Sequence, residues 1–482
     1  MKRILIVITI LSLCFPLISA QEITDPEELF SEGEFFYLAE DYQEALYYYL
    51  QLLNKFPDNP NFNFKAGMTY LQIPGQEHLA IPYLEKAITQ TSIKYKKHSY
   101  TEINAPHYSY YYLGNAYRIN NELDKALDTY QTFMDSKDFE GNYNLNIVET
   151  EVRACERAKI IQDVPINLVN VRLEPPINSE SDNYNAVLSA DGNTMIFITQ
   201  MKFYDAIHIS RKVNGVWSEP EVLNPQVGSD GDMYPVSLSS DGTELYLVRR
   251  SQSNDDIYLS TLSGPFWSKA QPLNDNINTR SNETHASISG DGQTLYFTSD
   301  RRGGYGKLDI YRSQRLNNNQ WGPAINLGGV INTDLDEETP FITKSGTRLY
   351  FSSKGHFNMG GFDIFFSDLL EDKTWNDPIN IGFPLNTTGD DLFYFPVDNG
   401  EKAYYAIRDK EAPFASDIYY VEILERGALK PGMAGSSLFM NDFNMKLINT
   451  STQDTIIIYF NHNLDRFSVT RPSGEYKIII EK

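Results

Sequence analysis

The middle half of this chain repeats itself. A tight turn followed by an apolar strand recurs five times. Asp191-Gly192 precedes MIFIT, Asp241-Gly242 precedes LYLVR, Asp291-Gly292 precedes LYFTS, Ser345-Gly346 precedes LYFSS and Asn399-Gly400 precedes AYYAI. The anchors fall at 191, 241, 291, 345 and 399, so they step by 50, 50, 54 and 54 residues. A fixed period of roughly 40–50 residues with strand-like content implies a propeller or array, because one such unit cannot bury its own apolar face. A second short strand keeps the same register: AIHIS, DIYLS, DIYRS, DIFFS and DIYYV. The chain's four tryptophans, Trp217, Trp267, Trp321 and Trp375, then occupy one repeat position.

The fifth unit stops after DIYYVEI and has no tryptophan strand. Residues 166–178 (INLVNVRLEPPIN) read like the end of a unit; compare NLGGVIN at 326–332. The expectation is closure, with this early strand completing the last blade and covering an open sheet edge. Five anchors make five blades. A sixth, degenerate blade would need a sixth anchor, and none is seen.

Residues 25–162 read as helical. Gly33 with Ala45 and Tyr49, Gly67 with Ala80 and Tyr83, and Gly114 with Ala126 and Tyr130 share one pattern. It suits antiparallel helix pairs, with small residues where helices touch and aromatics filling the gaps. Gly33 to Gly67 is 34 residues, but Gly67 to Gly114 is 47, so the register breaks. The excess is placed in residues 94–106, as a loop or extended helix. Pro82 is tolerable in the first turn of a helix. Residues 142–162 read as a capping helix, and Pro165 as the boundary.

At 482 residues the chain is too long for one typical domain. A formal net charge of −23 makes nucleic acid a poor partner. Lys2 and Arg3, the apolar run from Ile4 to Ile18, and Ser19-Ala20 form a secretory leader with a small-residue cleavage site. That run is too short to span a membrane comfortably. A lipid anchor on Cys14 would be preceded by Leu13 where a small residue is wanted. Cleavage after Ala20 leaves Cys155 alone, so no internal disulfide is expected. After Ile423, Gly427, Pro431, Gly432 and Gly435 read as a linker. MKLIN, TIIIYF, RFSVT and YKIII then read as strands of a small sandwich-like module, near the size where independent stability fails. The fold class is multidomain, α followed by all-β. Residues 1–20 are leader, 21–163 helical repeats, 165–425 propeller, and 426–482 the small β module, incomplete if more strands are required.

The helical units resemble tetratricopeptide repeats. The propeller units resemble the periplasmic WD-repeat-like family related to the Tol-system propeller. The third unit carries that resemblance best, in SISGDGQTLYFTSDRRGGYGKLDIYRS followed by Trp321-Gly322-Pro323. The fourth follows it, with Gly360, Gly361, Asp363 and Trp375; the first has Ala206 where Asp is expected. This order of parts resembles envelope proteins of outer-membrane anchoring and of the type IX secretion and gliding apparatus. There the small C-terminal module is carboxypeptidase-regulatory-like, and an OmpA-like peptidoglycan-binding domain often follows. This sequence stops at Lys482, so the resemblance implies a truncated relative or a component that another protein tethers. It implies envelope-protein partners, reached through the helical-repeat groove and propeller loops. Any peptidoglycan contact would lack a dedicated domain, and no membrane span would remain after leader cleavage.

Nine residues ahead of each anchor lies Asp182, Asp232, Asn282, Asp336 or Asp390. A repeated position makes a ring at one end of the propeller, near its channel. Its side chains would line a polar or cation-binding mouth, or bond nearby backbone N–H groups at the turn into the inner strand. Asp256, Asp309, Asp363 and Asp417 open the second short strand and suit turn bonding. The tryptophans suit packing between blades more than glycan stacking. Arg301–Gly306 feeds a strand and not a helix N-terminus, so it reads as a hairpin loop and not a phosphate loop. No nucleophile elbow, His-Glu-x-x-His or paired Cys-x-x-Cys motif occurs. No catalytic residue, metal or cofactor is assigned. The expectation is a non-enzymatic envelope scaffold, with a glycan-active or glycan-binding propeller as the alternative.

Overall fold

The computed structural model describes residues 25–397, 400–408, 416–425, 444–449, 455–458 and 476–481. The leader, Cys14 and the RFSVT run lie outside these residues. The described chain forms two compact units. One comprises the residues up to Ile73 with Pro82–Ser109, the other Pro74–Ile81 with the chain from Tyr110 onward.

In the first unit, α1 (Pro26–Leu38) and α2 (Tyr42–Lys55) form an antiparallel pair, followed by α3 (Pro60–Tyr70) and most of α4 (Ala80–Ala87). The starts are written locally. Asp25 and Asn59 cap α1 and α3 by accepting backbone N–H groups, and a proline fills the first helical position of each. Pro82 falls in the first turn of α4. Gly33 lets α1 and α2 touch: a Cβ there would lie 2.7 Å from the ring of Tyr49, which is fully buried. In the second unit Gly114 stands in the same relation to Tyr130, on α5 (Ser109–Ile119) and α6 (Leu123–Met134).

The second unit also holds α7 (Leu145–Gln162) and the propeller. Blade 1 runs Asn183–Leu188, Thr194–Gln200, Asp205–Val213 and the short outer strands Val216–Trp217 and Glu221–Val222. Blade 2 runs Met233–Leu238, Glu244–Arg249, Asp256–Ser263, with Phe266–Trp267 and Gln271–Pro272 outside. Blade 3 is Glu283–Ile288, Thr294–Ser299, Asp309–Gln314, Ile325–Asn326; blade 4 is Glu337–Ile342, Arg348–Ser353, Asp363–Asp368, Ile379–Asn380. Blade 5 is Phe395–Val397, Lys402–Arg408 and Ser416–Glu425, and its outer strand is Asn167–Arg172. The early strand therefore closes the ring, in antiparallel register from Tyr419↔Arg172 to Ile423↔Leu168.

The anchors are the turns between first and second strands. Ser189 Oγ donates to Asp191 Oδ1 at 2.6 Å and accepts from Thr194 N at 3.0 Å, while Gly192 takes φ 68°. Blades 2 and 3 repeat this with Ser239–Asp241 and Ser289–Asp291, both at 2.6 Å. Those serine bonds, chiefly, hold the three aspartates below the usual carboxylate range. Only glycine adopts such a φ without strain, which is why the pair Asp-Gly marks the period.

Each tryptophan pairs with the residue just past its blade's third strand, or with the last-but-one residue of that strand: Lys212↔Trp217, Leu262↔Trp267, Arg315↔Trp321, Leu369↔Trp375. Trp375 stands edge-on to Tyr296 of blade 3, and Trp217 packs against an apolar cluster that includes Tyr404 and Ile418 of blade 5. Arg315 lies over Trp321 and bonds Glu244 and Tyr246 of blade 2.

Helices α5–α7 are fixed to blade 4 by buried guanidinium groups. Arg118 pairs with Glu151 at 2.9 Å and donates to the Thr388 carbonyl. Arg157 donates to the His356 carbonyl and Asn358 Oδ1, both at 3.3 Å, and lies over the Phe357 ring. Apart from Pro74–Ile81, which belongs to the second unit, the compact units divide between residues 109 and 110. Past the propeller, Asn444–Asn449 is the centre of an antiparallel three-stranded sheet with Thr455–Ile458 and Tyr476–Glu481. No helix among the described residues is long and apolar enough to cross a membrane.

Candidate functional site at the propeller axis

The ring residues do not gather at the axis. Four of them staple blades together. Asp182 Oδ1 accepts the Ser416 N–H at 2.6 Å, Asn282 Oδ1 that of Asp255 at 3.1 Å, Asp336 Oδ1 that of Leu308 at 3.3 Å, and Asp390 Oδ1 that of Phe362 at 2.8 Å. In every case the donor lies at, or one residue before, the start of the third strand of the preceding blade, and the Asp182 bond crosses the closure between blades 5 and 1. Asp232 departs from the pattern: it pairs with Arg249 at 2.8 Å and accepts from Ser229 Oγ at 3.1 Å. Neither sequence-level reading described this. The bonds are to backbone N–H groups, but those of a neighbouring blade. Among the described residues no group of three or more His, Cys, Asp and Glu side chains could hold a metal ion.

The residues that do converge lie three further along each repeat. Asn185, Pro235, His285, Thr339 and Phe393 line one cavity of about 40 Å³, together with the residue after each. Val187, Phe341 and Phe395 complete its wall. The first strand of four of the five blades is irregular here. Its register with the second strand shifts between Tyr184 and Val187, around Val236, between Glu283 and His285, and between Glu338 and Phe341. Asn185, Thr339 and Phe393 take φ of 52°, 48° and 58°. Thr339 is β-branched and Phe393 bulky, so such angles persist only where the surroundings enforce them, commonly at functional sites.

Two buried polar atoms at the cavity lack a partner: Asn185 Oδ1 and His285 Nε2. His285 Nδ1 lies 3.1 Å from Thr284 Oγ1, and its ring is packed against Tyr234 and Phe393. Burial, with Arg250 adding, drives its pKa down to about 3, so the ring is neutral. Glu338 Oε2 lies 4.0 Å from His285 Nδ1. Burial raises that carboxyl to about 7, with Asp336 and Asp390 adding to the shift and Lys354 opposing it. The site can therefore accept or donate hydrogen bonds without a fixed charge, between aromatic walls.

Other repeated polar residues are structural. Asp309 accepts from Tyr305 N, Gly306 N and Asn326 Nδ2, and Asp417 pairs with Arg172 in a fork at 2.7 and 3.0 Å. Asp256 accepts from Asn254. Asp363 is fully buried; it accepts from Met359 N and Asn380 Nδ2, and burial followed by the charge of Asp391 pushes its pKa well up. A further series escaped sequence reasoning. Asn178, Asn224, Asn278, Asn332 and Asn386 each bond the N–H of the isoleucine beginning a third strand: Ile418, Ile207, Ile257, Ile310 and Ile364. The signal was present, since four of them lie four residues ahead of a ring residue.

Glu337, fully buried at the start of the strand that carries Thr339, accepts from Thr333 N, Thr333 Oγ1 and Ser353 Oγ at 2.7 Å each. Burial still raises its pKa from 4.5 to about 7. Between those values the folded state holds a proton that the unfolded state has released, so stability falls as pH rises through that window. Glu337→Gln, which cannot ionise, is expected to gain about 3 kcal/mol on wild type between about pH 4.5 and pH 8. Urea midpoints measured across that range check it; parallel curves would mean that Glu337 is not the group responsible.

No family model matches the sequence, and no curated protein matches it. Solved structures do match. TolB from Acinetobacter baumannii aligns with a TM-score of 0.35 at 16% identity, over 52% of this chain and 56% of that one. A putative TolB from Agrobacterium tumefaciens aligns at 0.33 and 14%, over 61% and 88%. An α-L-arabinofuranosidase from Podospora anserina, solved with cellotriose, aligns at 0.35 and 9%, over 54% and 97%. At these scores the likenesses bring neither activity nor partner to this chain, which stands as a five-bladed β-propeller with an N-terminal helical region and TolB-like structural neighbours.

Proposed function

We propose that this chain is a non-enzymatic, protein-binding scaffold of the Gram-negative cell envelope. It is exported to the periplasm and lies peripheral to the outer membrane, within or beside a type IX secretion or gliding assembly. Its helices are of tetratricopeptide type, and partners engage both the helical region and the propeller. The observation that carries this reading is the axial cavity. Its wall is mainly apolar and aromatic, with Asn185, His285 and Thr339 as the polar members, and no carboxylate is among its lining residues. The acids repeated around it are largely bound to backbone N–H groups of adjacent blades. Hydrolysis of a glycosidic bond ordinarily needs two carboxyl groups flanking the scissile bond. An uncharged aromatic pocket with two open hydrogen-bonding atoms suits a partner's inserted side chain instead.

A photoreactive residue in place of half-buried Val236, at the cavity, should crosslink to an envelope protein in native membranes. The same residue in place of Val213, on the outer edge of blade 1, serves as the comparison. A chain recovered alone from both positions would overturn the reading. The glycan-active alternative has one observation in its favour: Glu338, next to the cavity, carries a carboxyl raised to about 7, suited to general acid chemistry. It requires sugar release from a glycan panel that Glu338→Gln abolishes.

A further inference from the structure

In the first unit, α3 is buried along its entire length. A helix covered on all sides ordinarily reads apolar all round, yet α3 carries Asn61, Asn63, Lys65 and Thr69, all at most 2% exposed. Asn63 donates to the Pro57 and Asn59 carbonyls just ahead of the helix, and Thr69 turns back onto the Lys65 carbonyl within it. Asn61 and Lys65, one turn apart, face outward from α3, and what they meet is decisive.

Asn61 is read from both sides by the segment between α4 and α5. Tyr95 Oη donates to Asn61 Oδ1 at 2.8 Å, and Asn61 Nδ2 donates to the Glu102 carbonyl at 3.2 Å. Lys65 pairs with Glu34 of α1 at 2.5 Å, and Tyr49 Oη donates to the same carboxylate at 2.7 Å. The segment completes that cluster too, with His98 Nδ1 2.9 Å from Glu34 Oε2. Tyr95 and Tyr108 stand edge-on to Phe64 at 6.2 and 5.6 Å. Burial pushes the Glu34 pKa up, but the Lys65 charge and the three donors outweigh it and hold the carboxyl below its usual range.

The strap itself is lightly built. Its neck is a two-residue parallel bridge, Thr91↔Ala105 and Ser92↔Pro106. Beyond the neck it has no helix or strand, its three lysines are exposed, and Ile93 and Ile103 are 44% and 56% exposed. A basic segment with exposed isoleucines, holding down a hydrogen-bonding surface, is the chemistry of a bound peptide more than that of a core.

We propose that the α1–α3 face is a recognition surface for an extended, basic, tyrosine-containing segment, and that residues 92–108 occupy it in cis. A partner would offer a tyrosine hydroxyl to Asn61, a basic group three residues later to Glu34, and a main-chain carbonyl to Asn61 Nδ2. It gains access by displacing the strap, so the strap sets a threshold that only a segment of matching chemistry passes. This builds on the protein-binding reading above but names a different surface, and the two are tested separately.

The experiment uses the full chain and a labelled synthetic peptide of residues 92–108. The double variant Tyr95→Phe, His98→Ala loosens the strap at two exposed or half-buried positions without touching a helix. Losing two such bonds should raise opening of the face about tenfold. The expected result is faster amide exchange in α3 and binding of the peptide to the variant at concentrations where wild type binds none. A peptide with Tyr95→Ala should bind markedly less. The proposal is overturned if the variant takes up no more peptide than wild type, whether or not α3 exchange quickens, or if a scrambled peptide binds equally well. A negative crosslinking result at Val236 would leave this outcome standing, and the reverse holds as well.

Discussion

Trp321→Ala is expected to destabilise the propeller by about 3–5 kcal/mol, in the range found for deletion of large buried aromatics. The ring is 3% exposed and belongs to the apolar cluster that runs through blades 1, 2 and 3, with Trp267, Leu245, Leu295 and Phe297. Its loss removes more than area. Arg315 lies over the ring 4.9 Å from its centroid while forming a forked pair with Glu244, so the indole is the floor of an inter-blade ion pair. The cavity left behind would expose that guanidinium to rearrangement. Trp217, half-buried, occupies the same repeat position and provides the calibration: Trp217→Ala should cost clearly less. Urea denaturation followed by far-ultraviolet dichroism checks both. A change below about 1 kcal/mol at Trp321 would mean that the ring can leave its slot without cost, and the packing argument for the four tryptophans would fail.

Val171→Pro is expected to cost about 3 kcal/mol or more and to broaden the unfolding transition, because it breaks the closure of the ring. Leu173 N donates to the Ile418 carbonyl at 3.0 Å. In an antiparallel pair the inward-facing N–H groups alternate, so that of Val171, two residues earlier, also points at the blade 5 strand. Proline there removes a ladder bond from the one outer strand that joins chain-distant parts of the propeller. Val171 is 48% exposed, so Val171→Ala should change stability by well under 1 kcal/mol and isolates the backbone effect. Equal effects of the two substitutions would show that the side chain matters and the closure does not.

The order of parts could be read from residues because packing demands recur. Five blades must each turn at the same place, and a turn with φ of 68–88° selects glycine after Asp, Ser or Asn, so the period is written in glycine. Closure could be read because the fifth unit lacks an outer strand and residues 166–178 look like one. The helix pairs showed themselves through Gly33 with Tyr49 and Gly114 with Tyr130, each 16 apart, since a ring that large fills a groove only opposite a residue with no Cβ.

The axis was not legible. Side chains alternate along a strand with period two, and one extra residue reverses which ones face inward. Four of the first strands carry such an irregularity just where they pass the cavity, so counting from the anchors led to Asp182, Asp232, Asn282, Asp336 and Asp390, three residues short. Four of those side chains reach back along the ring to the preceding blade, a relation between residues as far apart as Asp182 and Ser416. The strap was visible only as surplus length. Nothing local says that Tyr95 meets Asn61, or that Arg118 and Arg157 bury themselves against blade 4.

Local chemistry and repetition were thus enough to specify how many blades there are, where each turns, and which strand shuts the ring. Which side chains share the axis, and which surface of the helices is covered, follow from contacts between segments tens to hundreds of residues apart. A turn states its geometry in two or three residues, whereas a convergence depends on the summed register of five strands, and a single bulge in a strand is enough to change it.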